Sequence, residues 1–110
     1  MGSGNEANPR TRVNLPIVIR PSAATEIEAA YRWYERQRPG LGEEFLEAVN
    51  NMIAVIVGHP ERFPIVHRNT RRVLLSRFPF SILYRVKVGH VVVVACFHSR
   101  RNPRLWKVRS

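Results

Sequence analysis

The sequence has no aspartate, and its C-terminal part has no acidic residue of either kind. All eight acids are glutamates, the last is Glu61, and residues 62–110 carry ten Arg and two Lys. A segment that repels itself this strongly is costly unless an anionic partner supplies the missing charge. The distribution of charge therefore indicates a polyanion or an acidic protein as partner. General basicity in an arginine-rich proteome is the alternative.

The chain is also poor in cysteine and in long apolar runs. Its single cysteine, Cys96, excludes an internal disulfide, and its place in an apolar run predicts a buried thiol in a reducing compartment. No stretch approaches the roughly 20 apolar residues of a membrane helix, and the N-terminus lacks the hydrophobic segment of a signal peptide. We therefore expect a soluble, cytoplasmic protein without membrane association.

Residue patterns for metal binding and catalysis are missing as well. The four histidines have no ligand spacing, and one cysteine cannot complete a site. Ser76, Ser81 and Ser99 stand in no nucleophile elbow or triad pattern. The dipole of the second predicted helix already explains the glutamates in its first turns. The sequence thus predicts no metal, no cofactor and no catalytic residue.

The length of 110 residues fits one domain with a modest core. We expect residues 1–13 to be a disordered leader or a cloning remnant and residues 14–110 to form a single domain. Residues 15–20 predict a first strand. An amphipathic helix follows, with Ser22 as its N-cap, and a second one ends at Gly58. Because only Pro39 and Gly40 separate them, the two helices predict an antiparallel hairpin.

The hydrophobic period changes to that of strands after residue 70. Residues 72–78, 80–88 and 91–97 predict three strands, and Gly89 with His90 predicts a type II′ turn between the last two. The predicted order is β-α-α-β-β-β. This is an α+β domain with a helical hairpin packed on one face of a small, mostly antiparallel sheet.

Arginine is the residue type left to carry a function. Arg77 and Arg85 are predicted on strands, and five further cations surround Trp106 in the tail. Guanidinium groups interleaved with an aromatic ring suit phosphates, stacked bases or acidic side chains. His98 ends the last predicted strand, where hydrogen bonding to a nearby carbonyl is the alternative to a functional role. Packing of Trp106 against the sheet is likewise an alternative for that residue.

Two stretches resemble the ParE branch of the ParE/RelE toxin superfamily: RRVLLSRFPFSILYRV at residues 71–86 and VVVVACFHSRRNPRLWKVR at residues 91–109. With the predicted element order, the resemblance covers residues 15–109. It implies the toxin of a bacterial type II toxin–antitoxin system, of the kind associated with plasmid stabilisation. ParE-type members are implied to inhibit DNA gyrase by binding, without enzymatic chemistry, and an antitoxin encoded alongside silences them.

RelE-type members of the superfamily instead cleave messenger RNA in the ribosome. Their cleavage is implied to need lysines in the second strand, one arginine after the hairpin turn, another past the last strand, and a tail tyrosine. Here the second strand has no lysine, Ser81 and Ser99 take the two arginine positions, and Trp106 is the nearest tail aromatic. A ribonuclease that uses His98, Arg77 and Arg101 stays as the alternative function.

The resemblance also implies two binding surfaces and an acidic, ParD-like antitoxin as partner in a hetero-oligomer. The antitoxin segment is expected to fold into a groove between the helical hairpin and the sheet. The residues predicted to bind it are Tyr31, Trp33, Tyr34, Arg72, Leu74 and Arg85. The residues predicted to bind the target are Arg77, His98, Arg100, Arg101, Arg104, Trp106 and Arg109. A non-toxic basic nucleic-acid-binding module is a third function, but no helix suited to read a groove is predicted, so no sequence-specific DNA binding is expected.

Overall fold

The computed structural model of the chain describes residues 15–100, which form two helices and five strands. In chain order the elements are β1 (Ile17–Ile19), α1 (Pro21–Gln37), α2 (Leu41–Gly58), β2 (Ile65–His67), β3 (Thr70–Leu74), β4 (Phe80–Lys87) and β5 (His90–His98). The predicted α+β class and helical hairpin are confirmed, and β2 is an additional strand. Neither helix in this range has both the length and the apolarity needed to cross a bilayer.

The five strands form one sheet in the order β1-β5-β4-β3-β2. The pair of β1 and β5 is parallel, with Ile17 opposite Val91, and the other three pairs are antiparallel. Strand β5 therefore has a neighbour on both sides, and residues 91–97 are all buried. Strand β5 is apolar on both faces because it lies inside the sheet and both of its faces are covered.

The two helices are connected by hydrogen bonds as well as by the packing of their apolar faces. Helix α1 begins at Pro21 with Arg20 as N-cap, two residues before the predicted Ser22 cap, because proline is preorganised for the first helical position. The carboxylate of Glu35 accepts hydrogen bonds from the backbone N–H groups of Gly40 and Gly42, both at 2.9 Å. One side chain of α1 thus caps the N-terminus of α2.

Four aromatic rings connect the hairpin to the sheet. Tyr34 of α1 and Phe45 of α2 pack against Phe78 and Phe80, with ring centroids between 4.9 and 6.1 Å apart. Most of these contacts have the tilted or edge-on geometry that aromatic pairs prefer. Phe78 and Phe80, on either side of Pro79, therefore pack one buried and one partly buried ring against the helices.

Strand β3 ends at Leu74, four residues before the predicted end. Pro79 has no N–H to donate, and residues 75–79 form a loop instead. The loop is closed by the N–H of Leu75, which donates to the carbonyl of Phe80 at 2.9 Å. Because Leu75 and Phe78 are buried, the loop contributes to the core despite its irregular backbone.

The connection between β4 and β5 also differs from the prediction. Lys87 pairs with His90, so the two-residue turn is Val88 and Gly89, not Gly89 and His90. Gly89 holds the positive φ of 80° that favours glycine. Further along, Leu83 pairs with Ala95 whereas Tyr84 pairs with Val93, so one extra residue is inserted in β5 as a bulge.

The sheet has two faces of different character. On the helix-covered face, Val73, Ile82 and Tyr84 belong to the main core cluster. Strand alternation puts their neighbours on the opposite face. We call this the outer sheet face, and in β3 and β4 its residues are Thr70, Arg72, Leu74, Ser81, Leu83, Arg85 and Lys87. A second apolar cluster that includes Leu83, Val92 and Phe97 is buried there.

Candidate functional site

Two arginines of the outer sheet face are held by buried hydroxyl groups. The Nε of Arg72 donates to Oγ of Ser81 at 3.1 Å, and the Nε of Arg85 donates to Oγ1 of Thr70 at 3.1 Å. Ser81 also shares a hydrogen bond with Oγ of Ser99 at 3.0 Å. Thr70 and Ser81 have no exposed surface, so both guanidinium groups are anchored to rigid parts of the sheet.

The acidic residues lie away from this face. All seven glutamates of the described range precede residue 62, and six of them are on α1 and α2. The ion pairs within residues 15–100 join Arg32 to Glu28 and both Arg38 and Arg77 to Glu44. Among the Lys and Arg side chains of residues 62–100, only that of Arg77 is paired with a carboxylate. The cationic surface is therefore left largely without internal neutralisation.

Arg77 is the exception because Glu44 of α2 lies beside it. Its Nη2 donates to Oε1 of Glu44 at 2.7 Å, and its guanidinium lies 5.6 Å from the ring centroid of Phe78. The hydrogen bond from Arg77, followed by that from Arg38, lowers the pKa of the Glu44 carboxyl. Arg77, predicted to bind the target, thus connects the loop after β3 to the second helix.

His98 has a role in the turn that follows β5. Its Nδ1 accepts the backbone N–H of Arg100 at 3.2 Å, and its ring packs edge-on against Phe80 with centroids 5.5 Å apart. The expected alternative was a bond to a carbonyl, whereas the partner here is a donor. Because Nδ1 accepts this hydrogen bond, its lone pair is not available to take a proton from a substrate while the bond is present.

The two serines at the positions where RelE-type nucleases are implied to carry arginines are neighbours in space. Ser81 and Ser99 share their 3.0 Å hydrogen bond next to Arg72. None of these three side chains is suited to take up a proton near neutral pH. His98 pairs with Phe80 across the strands. Because Phe80 and Ser81 are consecutive in β4, their side chains point to opposite faces, so His98 is not on the face that carries Ser81. No group of three potential metal ligands occurs within residues 15–100.

The six residues predicted to bind an antitoxin do not form one continuous rim. Tyr31 lines an open groove of about 420 Å³ between the helices, and its hydroxyl donates to Glu43 at 3.2 Å, which raises the pKa of the tyrosine. Trp33 is half exposed, whereas Tyr34 is a core residue because it faces the aromatic cluster. Arg72, Leu74 and Arg85 lie on the outer sheet face.

Several predicted residues fall outside the described range of residues 15–100. They are Arg101, Arg104, Trp106 and Arg109, which were predicted to bind the target, and the leader at residues 1–13. Conversely, Thr70 and Ser81 were not predicted as the hydrogen-bond partners of Arg85 and Arg72. The signal that could have identified them was strand alternation, which places small hydroxyl residues and arginines on one face of adjacent strands.

The family follows from a comparison with family models. The model for the ParE toxin of type II toxin–antitoxin systems, parDE, matches residues 17–103. The chain belongs to the ParE toxin family. The match runs from β1 of this ParE protein past the end of β5 and so includes both helices and the whole sheet.

Solved structures share the fold of this ParE protein. A chain of the chromosomal ParDE toxin–antitoxin system of P. aeruginosa aligns with a TM-score of 0.59 and 21% identity, covering 77% of this chain and 96% of that one. A chain of the RelBE2 toxin–antitoxin complex of Mycobacterium tuberculosis aligns with a TM-score of 0.54 and 16% identity, covering 78% and 92%. None of the curated proteins matches the sequence. At these identities the two structures establish the fold alone.

Proposed function

We propose that this ParE-family protein is a toxin that inhibits DNA gyrase by binding to it, and that an acidic ParD-like antitoxin neutralises it in the cytoplasm. The observation that carries the proposal is the separation of charge across the fold. The five strands contain four cations and no acid, and none of these four cations has a carboxylate partner within residues 15–100. An anionic partner from outside the chain would neutralise this surface.

Inhibition by binding is supported by the chemistry of the outer sheet face. Ser81 and Ser99 bond to each other where a ribonuclease would hold cations, and His98 uses Nδ1 for a backbone contact. Catalysis of RNA cleavage needs groups that transfer protons and stabilise a phosphorane-like charge. With hydroxyls in these places, binding is the better supported mode of action.

An acidic antitoxin is supported by the surfaces that the chain offers. Arg72 and Arg85 supply a cationic surface on the sheet, and the groove beside Tyr31 supplies an apolar one on the hairpin. A disordered acidic segment that folds on binding could use both, with electrostatics setting the association rate and apolar anchors the affinity.

The target is tested by adding the purified full chain to DNA gyrase and relaxed plasmid. We expect supercoiling to be inhibited in a dose-dependent way. In cells, induction should damage DNA without cutting transcripts, and a small acidic protein encoded directly upstream should restore growth and co-purify with the chain. Arrest of translation with cleaved messenger RNA and unchanged supercoiling would instead establish the ribonuclease. Binding to nucleic acid without growth arrest would establish a non-toxic module.

A further inference from the structure

We propose that one end of the sheet, formed by its two tight turns, binds the phosphate backbone of duplex DNA without reading the base sequence. We call it the turn end, and its residues are Arg68 and Asn69 between β2 and β3, Lys87 at the end of β4, and Val88 and Gly89 in the turn that follows. That the duplex is the one held by gyrase rests on the proposed function. Binding to DNA as such rests on the charges and turns of this chain, so it can be measured without gyrase.

The first argument is that the strand order brings the two turns to the same end of the sheet. Strands β2, β3, β4 and β5 are consecutive neighbours, and each pair is antiparallel. The first and third connections therefore lie together, and the loop of residues 75–79 lies at the opposite end. Thr70 pairs with Arg85. Because Arg68 precedes Thr70 by two residues and Lys87 follows Arg85 by two, both cations lie just beyond this last pair of β3 and β4.

The second argument is that these cations have no acidic partner in the described part of the chain. Arg68 and Lys87 are exposed, and the ion pairs within residues 15–100 include neither of them. No acidic residue follows Glu61 in the sequence. Duplex DNA carries one negative charge per about 1.7 Å of its axis, so one duplex can contact both cations, whereas one acidic side chain neutralises a single cation. The turn end therefore suits a polyanion.

The third argument is the backbone of Arg68. Its φ of 51° lies in the left-handed region, which glycine and asparagine adopt far more readily than arginine does. Asn69, a residue type that tolerates this angle, is the next residue in the same turn, yet the arginine occupies the strained position. A residue held in a strained conformation points to a function when the fold itself does not require its side chain. Here the exposed guanidinium is the group that such a function would use.

The fourth argument is the shape of the turn between β4 and β5. Val88 is 100% exposed and Gly89 has no side chain, so the hairpin ends as a narrow, two-stranded ribbon. The major groove of B-form DNA, about 12 Å wide, admits such a ribbon, whereas the major groove of A-form RNA is too narrow for side chains to enter. With Val88 in the groove, Lys87 and Arg68 would face the phosphates that border it. The shape thus favours duplex DNA over duplex RNA.

The binding is tested by fluorescence anisotropy with the full chain and two short labelled DNA duplexes of unrelated sequence. The association constant K is measured between about 50 and 200 mM salt, because each phosphate contact contributes about 0.9 to the slope of log K against log salt concentration. Lys87→Gln should lower this slope by about 0.9 and weaken binding to both duplexes alike. Arg36→Gln removes the same charge from an exposed residue of α1 without an ion pair within residues 15–100. It should leave the slope unchanged.

Arg68→Asn separates DNA binding from the integrity of the fold. Asparagine tolerates the left-handed backbone better than arginine, so the variant should unfold at a higher urea concentration than the unchanged chain. It should nevertheless lose about 0.9 from the salt slope, because one phosphate contact is removed. A variant that is more stable and yet binds DNA more weakly cannot owe its weaker binding to misfolding. Arg68→Gly should behave in the same way.

Three results would overturn the turn end as a DNA-binding site. An equal loss of slope in Arg36→Gln would mean that the whole cationic chain attracts DNA without a defined surface. Unchanged slopes in Lys87→Gln and Arg68→Asn would place the phosphate contacts elsewhere. Tighter binding of an RNA duplex of the same length would contradict insertion into the major groove of DNA. Because none of these measurements uses gyrase, a failure here is distinct from a failure of the proposed function.

Discussion

Arg77, in the loop between β3 and β4, donates from Nη2 to Oε1 of Glu44 on α2 at a distance of 2.7 Å. The second oxygen of the same carboxylate accepts from Arg38 at 3.3 Å. Glu44 therefore joins the end of the helical hairpin to the sheet through two cations that are distant in sequence. The ion pair with Glu44 also leaves the Arg77 guanidinium less available to a partner than the unpaired arginines of the sheet.

Glu44→Gln should make the stability of the fold less dependent on pH in the acidic range. The pKa of Glu44 is lowered in the folded chain by its bonds to Arg77 and Arg38, so its ionised form stabilises the fold at neutral pH. That contribution is lost as the pH falls through the lowered pKa. Urea unfolding should show the unchanged chain as more stable at pH 7, with the difference disappearing in acid.

Glu47→Gln is the matched control for Glu44, since it removes a charge from the same helix at a residue without an ion pair within residues 15–100. It should change the pH dependence much less. Equal behaviour of the two variants would show that the helix dipole, not the contact with Arg77, stabilises Glu44.

Gly40 and Gly42 should respond in opposite ways to alanine and asparagine. Gly40 has a φ of 91° in open space, so its limit is the backbone angle, which asparagine tolerates better than alanine. At Gly42 a Cβ would lie 2.7 Å from the carbonyl oxygen of Tyr31, so its limit is space. Gly42→Ala should cost about 1–3 kcal/mol, and Gly42→Asn more, whereas Gly40→Asn should cost less than Gly40→Ala. Unfolding midpoints in urea would reveal any other order.

Cys96 should not react with thiol reagents in the folded chain. Burial raises the pKa of its thiol to about 12, so little thiolate exists at pH 8, and the sulfur is inaccessible. Colorimetric titration should find no reactive thiol before denaturant is added and one afterwards. Val88→Cys, at a fully exposed turn position, should supply one rapidly reacting thiol under the same conditions. Rapid native labelling of Cys96 would mean that β5 opens locally.

Trp106→Ala and Arg101→Ala should reduce toxicity more than Arg36→Ala does. An aromatic ring and an arginine are the side chains that most often carry the energy of an interface, and loss of either should raise colony counts after induction by about tenfold or more. Immunoblots must show equal amounts of each variant. Equal toxicity of all three would exclude the tail from the mechanism.

Local signals in the sequence account for much of the fold. Pro39 and Gly40 mark the break in the hairpin, and the strand predicted at residues 80–88 corresponds to β4. Strand β2 was missed because its three residues are too few to establish a period. The parallel pair of β1 with β5 depends on chain segments that are more than 70 residues apart, which no local pattern encodes.

The candidate site was predicted less completely than the fold. The resemblance implied Arg72 and Arg85 as antitoxin-binding residues, but their anchors follow from strand register: Arg85 meets Thr70 because β3 and β4 pair in one particular alignment. Tyr34 illustrates the opposite difficulty. Its helical spacing fits both a core stripe and a binding rim, and only the positions of Phe45, Phe78 and Phe80 decide for the core.

The layered arrangement of helices and sheet makes the described part of the molecule an electric dipole. Helices α1 and α2 hold six glutamates and two arginines, whereas the strands hold only cations. An approaching anion exerts a torque on such a body and turns its sheet side forward before the surfaces touch. Productive collisions should become rarer as added salt shortens the range of the field, about 8 Å at physiological ionic strength.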